Sequence, residues 1–401
     1  MDIPAKPPWA FITLASIAAG ALVANLYYAQ PLISSIAPEL GITAALAGSA
    51  VSVTQIGYGL GLFFLVSLAD LIENRKLVLI TVVVTTLGLI AAATSHSAVQ
   101  FFIASLVVGI CSAGAQVLVP FVAHLVPEAQ RGRIIGNVMG GLLTGIMLAR
   151  PASLFISASF GWRAVFYASA VLMVIIGIAL ARMMPRRAPN TGLTYGRILA
   201  TTILLLREFP PLRWRAAYQF FIFGGFSIFW TVSPIMLAQH FGMNERAIAV
   251  FALAGAGGAL SAPLAGYLAD RGFIRVTTAA AMVLLAVSFF GSQWAVAADS
   301  IALLVILSVV LDGAVQTNQV VSQRVIFSVP ATLRGRANAM YMSVVFVGGA
   351  AGSLFGTLAY DRGSWPLTAL LGGTVGVIAL ALLGLETALG RARRPFEAAE
   401  R

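Results

Sequence analysis

Charge is what this sequence has least of. Only 10% of its 401 residues are Asp, Glu, Lys or Arg, against about 25% in a soluble domain. So few charges cannot cover a water-facing surface, which excludes a soluble globular protein of this length. Cysteine is nearly missing too. Cys111 stands alone in an apolar run, so no disulfide framework exists and the thiol reads as buried and structural. The three histidines, His96, His124 and His240, are far apart and lack metal-ligand spacing, so no metal site is expected. No nucleophile motif, phosphate-binding loop or ATPase segment is present. The expectation is therefore a protein that is not an enzyme, has no cofactor and does not pump with ATP.

What the chain has is apolar length: 59% of its residues are hydrophobic. A membrane-spanning helix needs about 20 predominantly apolar residues. The apolar runs predict spans 1 to 6 near residues 9–35, 44–69, 76–95, 97–126, 132–159 and 163–184. Spans 7 to 12 follow near 216–240, 246–269, 275–297, 299–328, 335–360 and 365–390. The first run is too long for a signal-peptide core and reads as a retained helix. The long connector from Pro185 to Arg215 holds Pro185, Pro189, Pro210 and Pro211 and is rich in arginine. This predicts a six-helix bundle over 1–184, a linker over 185–215, and a second bundle with a tail over 216–401. Within the linker, Tyr195 to Phe209 is either an amphipathic helix on the membrane face or a solvated connection.

The net charge of +11 would suit nucleic acid, but its placement argues against that partner. Lys6, Arg75, Lys76, Arg131, Arg133, the linker arginines, Arg271, Arg275, Arg324, Arg334, Arg336 and the Arg391 to Arg394 tail fall on one side of the predicted spans. Only Arg163, Arg246 and Arg362 fall on the other. This positive-inside bias predicts a multi-pass membrane protein with both termini in the cytoplasm.

The chain also repeats itself. Arg131-Gly132-Arg133 returns as Arg334-Gly335-Arg336, 203 positions on, and Gln116, Pro127 and Trp162 return as Gln319, Pro330 and Trp365 at the same offset. Asp70 is matched by Asp270, 200 positions on. A half-chain repeat in an apolar sequence predicts a duplicated helical bundle and a transporter with its substrate site between similar halves. Glycines collect on spans 2, 5, 8 and 11, including Gly57, Gly61, Gly141, Gly145, Gly255, Gly258, Gly348 and Gly352. That spacing lets helix backbones approach closely, and two halves that rock against each other would need such contact.

These elements resemble a known family. Ser67-Leu68-Ala69-Asp70 with Arg75-Lys76, the second copy Gly266-Tyr267-Leu268-Ala269-Asp270-Arg271 with Arg275, and Pro127 to Arg133 resemble loop signatures of the major facilitator superfamily. Within it the chain is most similar to twelve-helix bacterial drug- and sugar-efflux permeases. The resemblance implies an all-α membrane fold of two pseudo-symmetric six-helix bundles. It also implies that Asp70 faces span 11 near Arg334 and Arg336, that Asp270 faces span 5 near Arg131 and Arg133, and that with Arg75 and Arg271 these charges form latches.

Two ionisable residues stand inside spans. Asp312 lies about eleven residues into span 10, which at ~1.5 Å per residue puts it near the bilayer middle. A charge there is functional by default. Asp312 either carries a proton or is a fixed partner for an arginine or amides. Arg150 on span 5 cannot neutralise itself. It needs a carboxylate, amides, water or an anionic substrate, or else it snorkels to the surface. The resemblance places spans 5 and 10 in opposite halves, so an Arg150–Asp312 pair is one arrangement. Candidate substrate-cavity residues are Asn25, Tyr28 and Gln30 on span 1, with Gln55 and Tyr58 on span 2. Gln116 follows on span 4, Gln219 on span 7, Gln316 and Gln319 on span 10, and Asn338 and Tyr341 on span 11. Phe226 and Trp230 on span 7 would give an apolar wall or plain packing. The expected function is proton-coupled export of small organic molecules by a monomer working by alternating access. The alternative is an uptake symporter or a uniporter for a polar solute. The expected partners are membrane lipid, protons and the substrate.

Overall fold

The computed structural model describes residues 9–187, 192, 194–330 and 333–399, with backbone only at 128, 129, 131 and 390–399. Lys6, Pro189, and the side chains of Arg131 and of the Arg391 to Arg394 tail lie outside the described residues. The described residues form helices and no strand. Among the described residues, ten helices are long and apolar enough to cross a membrane. The longest, Arg334–Leu389, is two helices joined at Gly363 (φ −152°, ψ 25°) and Ser364 (φ 51°, ψ −152°). With the shorter apolar helix Trp9–Ala24, the twelve expected spans are accounted for. The fold is an all-α, multi-pass membrane architecture.

Several spans depart from unbroken helix. Span 1 is helical over Trp9–Ala24, turns at residues 25–29, and resumes as a 3-10 turn over Gln30–Leu32 and a helix over Ile33–Glu39. The expected continuous helix over 9–35 is thus corrected. Pro31 supplies the reason: it donates no backbone hydrogen bond and biases the residue before it away from helix. Span 8 is divided into Glu245–Ala252, Ala254–Gly258 and Ser261–Asp270. Its middle runs Ala254-Gly255-Ala256-Gly257-Gly258, and each glycine costs a helix interior about 1 kcal/mol against alanine. In the linker, Tyr195–Glu208 is a helix. It buries Ile198, Thr202 and Leu205, and the Tyr195 hydroxyl donates to the Phe64 carbonyl at 2.9 Å.

By its contacts the chain forms two compact units. The first runs to Leu204 and includes Ser233–Leu253; the second takes Leu205–Val232 and the chain from Ala254 on. The first unit therefore recruits a segment from beyond the 185–215 linker. One bond that holds this segment is from Ser35 Oγ to Glu245 Oε1 at 2.8 Å. In the same unit Arg163 pairs with Glu39 and donates to the Ser95 carbonyl at 3.2 Å. The hydrogen bond from Arg163 holds the Glu39 carboxyl below its ordinary range.

Both units contain helix pairs in backbone contact. In the first, a Cβ added to Gly145 of span 5 would stand 2.2 Å from the Gly20 carbonyl oxygen of span 1. In the second, a Cβ on Gly352 of span 11 would stand 2.1 Å from the Gly224 oxygen of span 7. Within each unit, these glycines allow helices to approach more closely than any side chain would permit.

Gly145→Val and Gly352→Val should therefore each destabilise the protein by about 1–3 kcal/mol or more, as overpacking does. Gly140 has no atom within 4 Å of its virtual Cβ, so Gly140→Ala should change little. Thermal unfolding in detergent checks this. A Gly145→Val protein that melts like the parent would contradict the span 1 to span 5 contact.

Candidate functional site

In the first unit the site is built around the break in span 1. Short bonds reach back three residues there, from Leu26 N to Val23 O at 3.1 Å and from Tyr27 N to Ala24 O at 3.0 Å. The polar side chains that follow take up specific partners. Asn25 Oδ1 accepts from Ser169 Oγ of span 6 at 2.6 Å. Gln30, fully buried, accepts from Arg150 Nε at 2.9 Å. The Arg150 guanidinium carbon also lies 5.0 Å from the Tyr27 ring centroid. Arg150 is only 4% exposed, so it does not snorkel; an amide dipole and an aromatic face hold its charge. Nearby in the chain's pattern, Gln116 Nε2 donates to the Tyr58 hydroxyl at 3.1 Å. Gln55 is buried and Tyr28 half-buried.

In the second unit the cluster runs along span 10. Asp312, 7% exposed, accepts from Trp230 Nε1 of span 7 at 2.8 Å. Trp230 thus serves as a hydrogen-bond donor, not only as an apolar wall. The broken middle of span 8 lies directly on this carboxylate. A Cβ on Gly255 would be 2.8 Å from Asp312 Oδ2, and one on Gly258 would be 2.4 Å from Asp312 Cβ. Only glycine fits there. Ser261 Oγ bridges the break, donating to Gly258 O at 2.8 Å or Gly313 O at 3.0 Å.

Nearly two helical turns further along span 10, Asn318 Nδ2 donates to Gln219 Oε1. The Tyr341 hydroxyl donates to Gln319 Oε1 at 3.0 Å. Asn318 Oδ1 and Asn338 Oδ1 are buried and accept no hydrogen bond among the described residues. Such acceptors ask for water or a ligand donor. Gln316 is half-buried. Phe226 stacks on Phe223 at 5.2 Å and 16°.

The loop charges occupy other surroundings. Asp270 pairs with Arg324 of span 10, a partner inside its own unit that the loop motif does not contain. Arg334 Nε donates to the Phe327 carbonyl at 3.0 Å, Arg271 lies 4.4 Å from the Tyr267 ring, and Arg75 donates to the Ala181 carbonyl. Asp70 sits in the turn after span 2, Arg133 is exposed at the start of span 5, and Arg336 is half-buried at the start of span 11.

Twelve spans, discontinuous helices and buried polar clusters with buried charge in both units define a multi-pass membrane transporter. The family model described as Major Facilitator Superfamily matches residues 12–326 and 216–400. The chain belongs to that superfamily. It is 37% identical to the "Uncharacterized transporter YgaY" of Escherichia coli O157:H7 over 372 residues, covering 92% of this chain and 94% of the relative. It is 34% identical to the "Probable transporter SCO4007" of Streptomyces coelicolor, covering 88% of this chain and 82% of the relative. Among solved structures, a D-xylose–proton symporter superposes with a TM-score of 0.73 at 16% identity, covering 94% of this chain and 97% of that one.

The two neutral partners of the internal charges generate a prediction. Gln30→Leu removes an acceptor of Arg150, and Trp230→Phe removes a donor to Asp312. Each should cost about 1–3 kcal/mol of stability, the penalty for stripping a buried charged group of a hydrogen bond. Denaturation of the purified variants measures it. An unchanged Trp230→Phe protein would mean that the indole N–H contributes nothing to holding Asp312.

Proposed function

We propose that this protein is a secondary active transporter of the bacterial inner membrane that exports small organic molecules in exchange for protons. It works by alternating access, with both termini in the cytoplasm. The observation that carries the reading is Asp312. A carboxylate buried in the middle of an apolar helix is costly to keep, and here it has an indole N–H for a partner and glycines beside it. Burial in an apolar span disfavours the charged form of a carboxyl, so such a group can take up and release a proton during transport. The amides and phenols of both units suit a polar or amphipathic solute. The likeness of the loop signatures to efflux permeases supports the outward direction, and the loop arginines support the orientation.

In this reading Asp312→Asn mimics the permanently protonated state. Reconstituted in liposomes with an imposed pH gradient, the variant should still exchange substrate down its own gradient, while proton-driven accumulation stops. The parent protein, screened against a compound library while internal pH is followed, identifies the substrate. Normal accumulation by Asp312→Asn would reject the proton-carrier role. Arg150 is the second functional charge, coupled to Asp312 during transport. The cycle of Arg150→Ala and Asp312→Ala should show a coupling of about 0.5–3 kcal/mol, and a plain sum of the single effects would reject it.

Asp70 and Asp270, with their arginines, serve as conformational latches. The Asp270–Arg324 pair is exposed on both sides, so its loss should cost folding only about 1 kcal/mol or less. Asp70→Asn and Asp270→Asn should instead shift the ratio of inward-open to outward-open protein. Distance labels that register no shift would remove the latch role.

A further inference from the structure

One charged cluster of the second unit belongs to neither set of site residues. Arg215, near the start of span 7, is 5% exposed. Its Nη1 donates to Thr278 Oγ1 of span 9 at 2.7 Å, and its guanidinium carbon lies 5.6 Å from the Tyr218 ring. The Tyr218 hydroxyl donates to Glu386 Oε2 of span 12 at 2.6 Å. Arg215, Arg275 and Glu386, with the chain from Gly272 to Val276, line a cavity of about 370 Å³.

The lining specifies the chemistry of an occupant. Two guanidinium groups call for an anion, and arginine matches phosphate geometry well. Thr278 takes one of the five N–H donors of Arg215. The helix of span 9, Ile274–Ala297, begins in the lining, and its N-cap Phe273 supplies no side-chain cap. Its first-turn N–H groups add partial positive charge. Glu386 gives the same cavity one negative group. A carboxylate offers about four acceptor sites, so the bond from Tyr218 leaves room for an ammonium. The wall is also apolar toward the outside: Phe273 is 52% exposed and Val276 68%. At the end of a membrane span such side chains meet acyl chains, which free phosphate does not have.

We propose that this cavity binds the headgroup of a phospholipid that carries both a phosphate and a primary ammonium. The phosphate sits on Arg215, Arg275 and the first turn of span 9. The ammonium sits on Glu386, and the acyl chains run past Phe273 and Val276.

Three lipids with the same acyl chains separate the alternatives. An ethanolamine headgroup has both groups. A choline headgroup keeps the phosphate and the charge but has no N–H for Glu386. A glycerol headgroup has the phosphate alone. Native mass spectrometry of the full-length protein in detergent, titrated with each lipid, reads the occupancy. The ethanolamine lipid should be retained about 10-fold more tightly than the choline lipid, the scale of one charge-assisted contact. Arg275→Gln, at an exposed side chain, leaves the buried cluster in place and should lower that retention by about 10-fold. Glu386→Gln should erase the preference for ethanolamine over choline while the glycerol lipid gains occupancy. Equal retention of ethanolamine and choline lipids by the parent, or full retention by Arg275→Gln, would overturn the proposal. Displacement of the lipid by millimolar inorganic phosphate would overturn the lipid as the occupant. Melting curves of each variant exclude loss of fold as the cause.

Discussion

Hydrocarbon offers backbone groups no hydrogen bonds, and the rest of this structure follows from that. A helix that breaks inside a membrane must have its freed N–H and C=O groups satisfied by protein. Span 1 breaks where Asn25, Tyr27, Tyr28 and Gln30 stand. Span 8 breaks beside Asp312, where Ser261 reaches the carbonyls of both Gly258 and Gly313. At span 1 short backbone bonds satisfy the break and free the polar side chains for the candidate site, whereas at span 8 the Ser261 hydroxyl does the satisfying. Irregular backbone and polar chemistry occur together here because neither is stable in lipid alone.

The two internal charges share one design. Arg150 is held by an amide oxygen and a phenol ring, and Asp312 by an indole N–H. Removing one member of a buried ion pair costs about 3–5 kcal/mol, because the other charge is left uncompensated. A hydrogen bond between a dipole and a buried charge spreads that charge without adding a second ion to desolvate. The exposed Asp270–Arg324 pair is of a different kind. Water screens it, so it can open and close at little cost to folding.

The twelve spans were legible because run length is a local property, and the halves were legible because their motifs recur at 203 positions. Arg150 and Asp312 stood out as charges within apolar runs. Their partners did not. Gln30 lies 120 positions from Arg150 and Trp230 lies 82 from Asp312, and no periodicity links such pairs. The break in span 1 had a signal in Pro31, and that in span 8 had one in its glycine run, but apolar length outweighed both. The glycines of spans 5 and 11 were read as surfaces between rocking halves. Gly145 and Gly352 instead meet Gly20 and Gly224 within their own units, a distinction that spacing alone does not carry.

The membership of Ser233–Leu253 in the first unit has a consequence for synthesis. Domains generally fold as units, the N-terminal one first as the chain emerges. Here the first unit lacks part of its own packing until the ribosome has passed Leu253. By then Leu205–Val232, which belongs to the second unit, has already been made. Its partners from Ala254 onward follow only later. The two units are therefore interleaved in time, and a chain cut in the linker would deliver a first half without the Glu245 contact to Ser35.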